Sequence, residues 1–117
     1  MQELKKKILF VCSANKDRSK TAEDYFASIT DRYVFESAGT NLKICNKLGT
    51  NPLTEELLQW ADQIFVMESM HKKFIETQAK QKVSHKIELL NIADVYKYYQ
   101  VELIQILKQK LNRFLVL

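Results

Sequence analysis

Lys7 to Cys12 is a run of consecutive apolar residues behind one lysine, with no polar position between Ile8 and Cys12. That is the pattern of a short strand buried on both faces of a parallel sheet, because a half-exposed strand would alternate. A helix is expected soon after it. From Ser19 onward, Ala22, Tyr25, Phe26 and Ile29 recur at i, i+3, i+4 and i+7, which predicts one apolar stripe on a helix ending near Thr30. Tyr33 to Glu36 reads as a second strand, closed by Ser37-Ala38-Gly39-Thr40, where Gly39 permits a turn at positive φ.

Farther along, Asn41 to Pro52 has mixed polarity and contains Gly49 and Pro52, so a surface loop is expected. Thr54 can cap a short helix through Ala61, with Glu55 and Glu56 suited to its amino end. Gln63 to Met67 predicts a third strand, Ser69 to about Lys80 a helix and Lys86 to Leu90 a fourth strand. Tyr99 to Leu115 predicts a long amphipathic helix carrying Leu103, Ile104, Leu107, Leu111 and Phe114. Strands alternating with helices argue for an α/β protein whose parallel sheet is covered on both faces.

Composition narrows the function classes. A chain of 117 residues, 46% of them hydrophobic, suits one domain, residues 1–117, and 2 Gly with 1 Pro leave no linker or low-complexity tract. The net charge of +4 is spread over scattered lysines, and only Lys5-Lys6-Lys7 form a run. No nucleic-acid partner is expected. The basic Met1 to Lys7 segment precedes an apolar run, Ile8 to Val11, too short for a signal-peptide core or a membrane span, so a cytoplasmic protein with no membrane partner is expected. Cys12 and Cys45 cannot form a secreted-type disulfide framework and lack zinc-ligand spacing. No metal and no cofactor are expected, and one cysteine is a candidate for reactivity.

The chemistry-bearing segment is Val11-Cys12-Ser13-Ala14-Asn15-Lys16-Asp17-Arg18-Ser19, between the first strand and the first helix. In an open parallel sheet, ligands bind beyond the carboxyl ends of the strands. A loop opening into a helix there presents unpaired N–H groups and the positive end of the helix dipole, which attract an anion. Arg18 adds a planar fork matched to two phosphate oxygens. The same field favours thiolate over thiol at Cys12. The bland reading is a small buried cysteine at a strand end and an exposed arginine at a helix start.

The Cys-x5-Arg-Ser loop after the first strand resembles the signature of the low-molecular-weight protein tyrosine phosphatases. Three more stretches match in order: Ser37-Ala38-Gly39-Thr40, Ala61-Asp62-Gln63-Ile64-Phe65-Val66-Met67-Glu68, and Ile92-Ala93-Asp94-Val95-Tyr96. The resemblance is weakest between Asn41 and Pro52, where larger members carry a longer insertion, and the short bacterial members are the most similar. The expected architecture is a single-domain three-layer sandwich with a four-stranded parallel sheet in the order 2-1-3-4.

The resemblance implies that Cys12 attacks phosphorus and forms a cysteinyl-phosphate, while Arg18 and the amides of Ser13, Ala14, Asn15, Lys16 and Asp17 bind the phosphate oxygens. It implies that Ser19 donates to the Cys12 sulfur and that Asn15 holds the loop. Asp94 fills the place of the general acid, although an Asp in a turn is by default a backbone acceptor. Tyr96, with Tyr98 and Tyr99, could wall the pocket or simply pack on the core. The implied substrate is a phosphorylated protein or small phosphate ester, phosphotyrosine or an aryl phosphate, and the implied state a monomer or weak dimer.

Three departures stand out. Ala14 replaces a common glycine, which requires a negative φ or accepted backbone strain. Asp17 replaces a second cysteine that could protect the nucleophile as a disulfide, and its carboxylate is expected to point toward Lys16 or solvent. Val95 replaces the usual proline beside Asp94. His71 and His85 read as exposed helix or loop histidines, Asp62 and Glu68 as groups making backbone or surface contacts, and Cys45 as a free thiol in the loop. Two further readings stay open: a phosphate-binding or regulatory module without turnover and, less favoured with only Cys45 to carry a disulfide, an arsenate reductase.

Overall fold

The computed structural model describes residues 4–79 and 82–117. Four strands, β1 (Lys6–Cys12), β2 (Tyr33–Gly39), β3 (Gln63–Val66) and β4 (Ile87–Leu89), form one parallel sheet in the order β2-β1-β3-β4. Around it lie helices α1 (Arg18–Ile29), α2 (Leu42–Leu48), α3 (Glu55–Trp60), α4 (Ser69–Gln78) and α5 (Val101–Leu111). The molecule is the single-domain α/β sandwich expected from the strand–helix alternation.

From Ile8 on, β1 is apolar because it lies inside the sheet with both faces covered. Ile8, Phe10 and Cys12 face one layer with Ala22 and Phe26 of α1 and Leu103, Leu107 and Leu111 of α5. Leu9 and Val11 face the other, with Leu58 of α3 and Ile75 of α4. Phe10 anchors the first layer, its ring centroid 5.7–6.0 Å from those of Phe26, Phe35 and Phe65. α3 starts at Thr54, whose side chain accepts from the Leu57 amide, as its sequence predicts. Among the described residues no helix is long and apolar enough to cross a membrane.

Several boundaries differ from those expected. Asn41 to Pro52 is not all loop: Asn41 Oδ1 accepts from the Ile44 amide, and Gly49, at φ 72°, closes the helix α2 between them. The helix was hard to read because Cys45 is its one buried residue, so no apolar stripe marks it. α5 begins two residues after Tyr99, which sits at φ 60°, outside helical geometry. Its carboxyl end is Leu111, not Leu115. The expected end of α4 near Lys80 lies outside the described residues.

β2 runs on through Gly39, which pairs with Cys12 and accepts the Leu53 amide. Its φ is not positive. The glycine is required for space: a Cβ there would meet Cys45 Sγ and the Ser13 carbonyl oxygen at 2.5 Å and the Ala14 carbonyl carbon at 3.0 Å. Because two of these are backbone atoms, Gly39→Ala is expected to cost about 2–3 kcal/mol by overpacking. Urea denaturation checks this; a loss below about 0.5 kcal/mol would mean that the loop yields freely.

Candidate active site

The parallel strands all point their carboxyl ends at one edge, where residues 12–18 link β1 to α1 and so put Cys12 and the amino end of α1 together. Cys12 Sγ lies 2.9 Å from Ser19 Oγ. Asn15 Nδ2 donates to that same Ser19 oxygen at 2.9 Å and to Ser37 Oγ at 2.8 Å. With its oxygen accepting from Asn15, the Ser19 hydroxyl has its own proton free for sulfur. Ser37 in turn donates to Glu23 at 2.5 Å.

Asn15 holds the left-handed conformation of the loop, at φ 54°, which asparagine tolerates better than most residues. Its Oδ1 accepts from the Asn51 amide, so the side-chain amide nitrogen and oxygen together tie the loop to β2, α1 and the segment after α2. Ala14 does not need the glycine freedom, since its φ is not positive. Thr50 Oγ1 bonds its carbonyl oxygen at 2.6 Å. The loop is thus braced from outside, which leaves its inner face for a ligand.

Arg18 opens α1 with a side chain only 2% exposed. Its Nη1 donates to the Ile92 carbonyl at 2.7 Å and lies 3.2 Å from Glu68 Oε1, while Nε is 3.7 Å from Asp94 Oδ1. Asp94, 63% exposed, is thereby brought beside the Arg18 guanidinium from a segment 76 positions farther along the chain. Asp17 precedes the helix, half-buried, with no side-chain hydrogen bond to the helix and no ion pair to Lys16 among the described residues. Lys16 is exposed.

No protein-family model and no curated protein matches the sequence. Solved structures do. The low-molecular-weight protein tyrosine phosphatase SP-PTP of Streptococcus pyogenes superposes with a TM-score of 0.73 at 21% identity, over 95% of this chain and 94% of that one. The tyrosine phosphatase Wzb of Escherichia coli K30, in complex with phosphate, gives 0.75 at 22% identity, over 95% and 96%. A YwlE mutant of Bacillus subtilis gives 0.61 at 27% identity, over 92% and 90%. The chain has the fold of the low-molecular-weight protein tyrosine phosphatases.

Within this fold the chain has three site neighbours that its sequence did not disclose. Glu68, expected to make backbone or surface contacts, also pairs with the buried Arg18 guanidinium. His71 is not exposed: it is 1% accessible, its Nδ1 accepts from the Glu68 amide at 3.0 Å, and its Nε2 is 2.9 Å from Ser13 Oγ. Since Nδ1 accepts, the neutral ring carries its proton on Nε2 and donates it to Ser13. Cys45 is buried under the loop, its Sγ 3.5 Å from the Ala14 carbonyl oxygen, rather than being a thiol in a surface loop. His85 is exposed, as its sequence setting suggests, and Asp62 accepts the Lys7 amide.

Of the tyrosines, Tyr98 borders a depression with Asn15 and Lys16 of the loop. Tyr96 is half-buried against the α1–α5 core layer. Tyr98 donates to Asp24 of α1, and the Tyr99 amide donates to Thr21 Oγ1. Together they fasten residues 96–99, and hence Asp94, to α1.

His71 makes acid stability legible. Burial, then the Arg18 charge, lowers its pKa from 6.5 to about 4, against smaller opposing effects of Glu68 and Asp94. The unfolded chain takes up this proton near pH 6.5 and the folded one only near 4, so the contribution is full above about 6.5 and is lost as pH falls to 4. The loss should be about 3 kcal/mol. His71→Gln should lack that share of the slope in denaturation series from pH 7 to 4. An unchanged slope would place the titration elsewhere.

Proposed function

We propose that the chain is a cysteine-dependent phosphatase that hydrolyses phosphate monoesters, with phosphotyrosine of a phosphorylated protein, or a related aryl phosphate, as substrate. The observation that carries this is the hydrogen-bonded line from Asn15 through Ser19 to Cys12, in a loop that ends at Arg18, whose Nε is 3.7 Å from Asp94. It pairs a sulfur to which Ser19 can donate with a guanidinium whose Nη1 is already occupied by protein. The Nε and Nη2 edge then suits two oxygens of one phosphoryl group.

In the proposed reaction, Cys12 Sγ attacks phosphorus in line as the P–O bond to the leaving group breaks. Arg18 and the loop amides hold the three equatorial oxygens, and their fixed orientation supplies most of the rate. Ser19 keeps a proton directed at sulfur, which favours thiolate as nucleophile and as the group later expelled. Asp94 gives its proton to the leaving oxygen, then takes one from the water that attacks the cysteinyl-phosphate, releasing phosphate and restoring Cys12. His71 fixes Ser13, and Glu68 fixes Arg18. Wzb solved with phosphate and a YwlE arginine phosphatase mutant solved with a phosphorylated active-site serine support a loop that binds and accepts phosphoryl groups.

Both cysteines are free thiols, and a nucleophilic thiol persists in a reducing compartment, so the cytoplasm is the proposed location. Rapid quench with p-nitrophenyl phosphate tests the reading. A burst of nitrophenol approaching one per protein, with the phosphoryl group found on the Cys12 peptide, is expected. Binding of phosphate without any burst or turnover would instead make the chain a phosphate-binding module.

A further inference from the structure

Helix α2 stands against the outer side of the catalytic loop and is almost wholly unpartnered. Only Cys45 of its seven residues is buried. That one side chain is wedged under the loop, and the helix is tied to the loop at both ends: the Asn41 amide donates to the Ser13 carbonyl, and Thr50 Oγ1 to that of Ala14. At about 100° per residue, Lys43 and Lys47 point directly away from Cys45, with Ile44 and Leu48 along one flank and Leu42 on the other. Leu42, Ile44 and Leu48 are 45%, 41% and 49% exposed. Neither lysine has an ion-pair partner among the described residues. From Ser37 to Thr54 the chain carries these two lysines and no acidic residue.

The basic character continues to the loop itself. Lys16 is exposed and borders, with Gly49, Thr50 and Asn51, a depression of about 410 Å³ between the loop and the end of α2. The opposite wall is internally satisfied, as Lys20 pairs with Asp24 and Tyr98 donates to Asp24. Lys16, Lys43 and Lys47 therefore form a run of uncompensated charge that leads from the phosphate loop onto an apolar-flanked helix.

We infer that α2 is a docking surface for the phosphorylated protein substrate, taking an acidic segment with interspersed apolar side chains next to the phosphorylated residue. This rests on the phosphatase reading of the loop. Charge decides among occupants. A second copy meeting this helix through a two-fold axis would set Lys43 and Lys47 against their own counterparts, whereas an acidic segment is attracted by all three lysines. The apolar flanks give such a segment something to bury, and the physical join between α2 and residues 13–14 places it within reach of the loop. A lipid surface is less suited, since α2 is seven residues long and its lysines, not its leucines, point outward.

The test measures binding, separately from turnover. Peptides carrying a non-hydrolysable phosphonate analogue of phosphotyrosine, with acidic, neutral or basic flanks, are titrated against the full chain by fluorescence anisotropy. The acidic peptide should bind about tenfold more tightly than the basic one at low salt, the gap narrowing as salt is raised. Lys43→Glu with Lys47→Glu should abolish or invert that preference while leaving turnover of p-nitrophenyl phosphate unchanged. Ile44→Ser with Leu48→Ser should weaken all peptides but keep their order. Equal affinities for the three peptides in the wild type would overturn the inference. So would a Lys43/Lys47-dependent association with phosphatidylserine vesicles, or a dimer broken by those changes, without any peptide preference. Absence of aryl phosphate turnover with the charge preference intact would overturn the phosphatase reading alone.

Discussion

Arg18→Lys should lower kcat/KM for p-nitrophenyl phosphate by about a thousandfold while the protein still folds. The expectation follows from how the guanidinium is held. Nη1 is committed to the Ile92 carbonyl and to Glu68, which fixes the plane of the group and aims its remaining edge. An ammonium can meet Ile92 and Glu68 or the phosphate, but it cannot hold both from one point. The substitution keeps the charge and removes the fork, so the defect measures geometry rather than charge. A variant within tenfold of wild type would show that the loop amides alone bind the phosphoryl group. Stability should fall by about 1–2 kcal/mol, because the replacement leaves Glu68 with a poorer partner. Measuring denaturation and kinetics on the same samples separates the two losses.

The strands were legible because short apolar runs alternating with helical stripes fit a parallel sheet covered on both faces, and β1 is apolar at every inward position; their order was implied by the family resemblance, not by the runs. The loop was legible because its residues are contiguous. Glu68, His71 and Cys45 were not, since their contacts with the loop are made by tertiary register. Val11 pairs with Val66, and the Met67 amide donates to the Val11 carbonyl, so Glu68 arrives at the level of Ser13 only once β1 and β3 are aligned. A histidine three residues after Glu68 can then reach back to cap its amide and forward to Ser13. The pattern Glu68-x-x-His71 was a faint local signal, since an acceptor at the third helical position often closes on the residue before the helix. α2 failed for a different reason. Its helical signal lies in the Asn41 cap and Gly49 rather than in a stripe, and its exposed leucines hide the one residue that anchors it.

Asp94→Asn should reduce kcat for phosphotyrosine by about two to three orders of magnitude, with a much smaller effect, about tenfold, on an aryl phosphate whose leaving phenol is strongly acidic. Asn keeps the shape and an oxygen near Arg18 but carries no transferable proton. A poor leaving group needs that proton as its bond to phosphorus breaks, whereas a dinitrophenolate departs nearly unaided. The structure sharpens the contrast. Asp94 is mostly exposed and its link to Arg18 is a long one, 3.7 Å, so an arriving phosphate can take over the guanidinium edge and leave the carboxyl at the mouth. The segment that carries it cannot drift far, because Tyr98 and Tyr99 fasten it to α1 in place of the rigidity a proline at Val95 would give. Equal losses on both substrates would assign Asp94 to positioning Arg18 and leave the proton to water. Tyr98→Phe tests the fastening independently: it should lower kcat severalfold on phosphotyrosine and leave the dinitrophenyl substrate almost unaffected, since only the step that needs Asp94 in place is slowed.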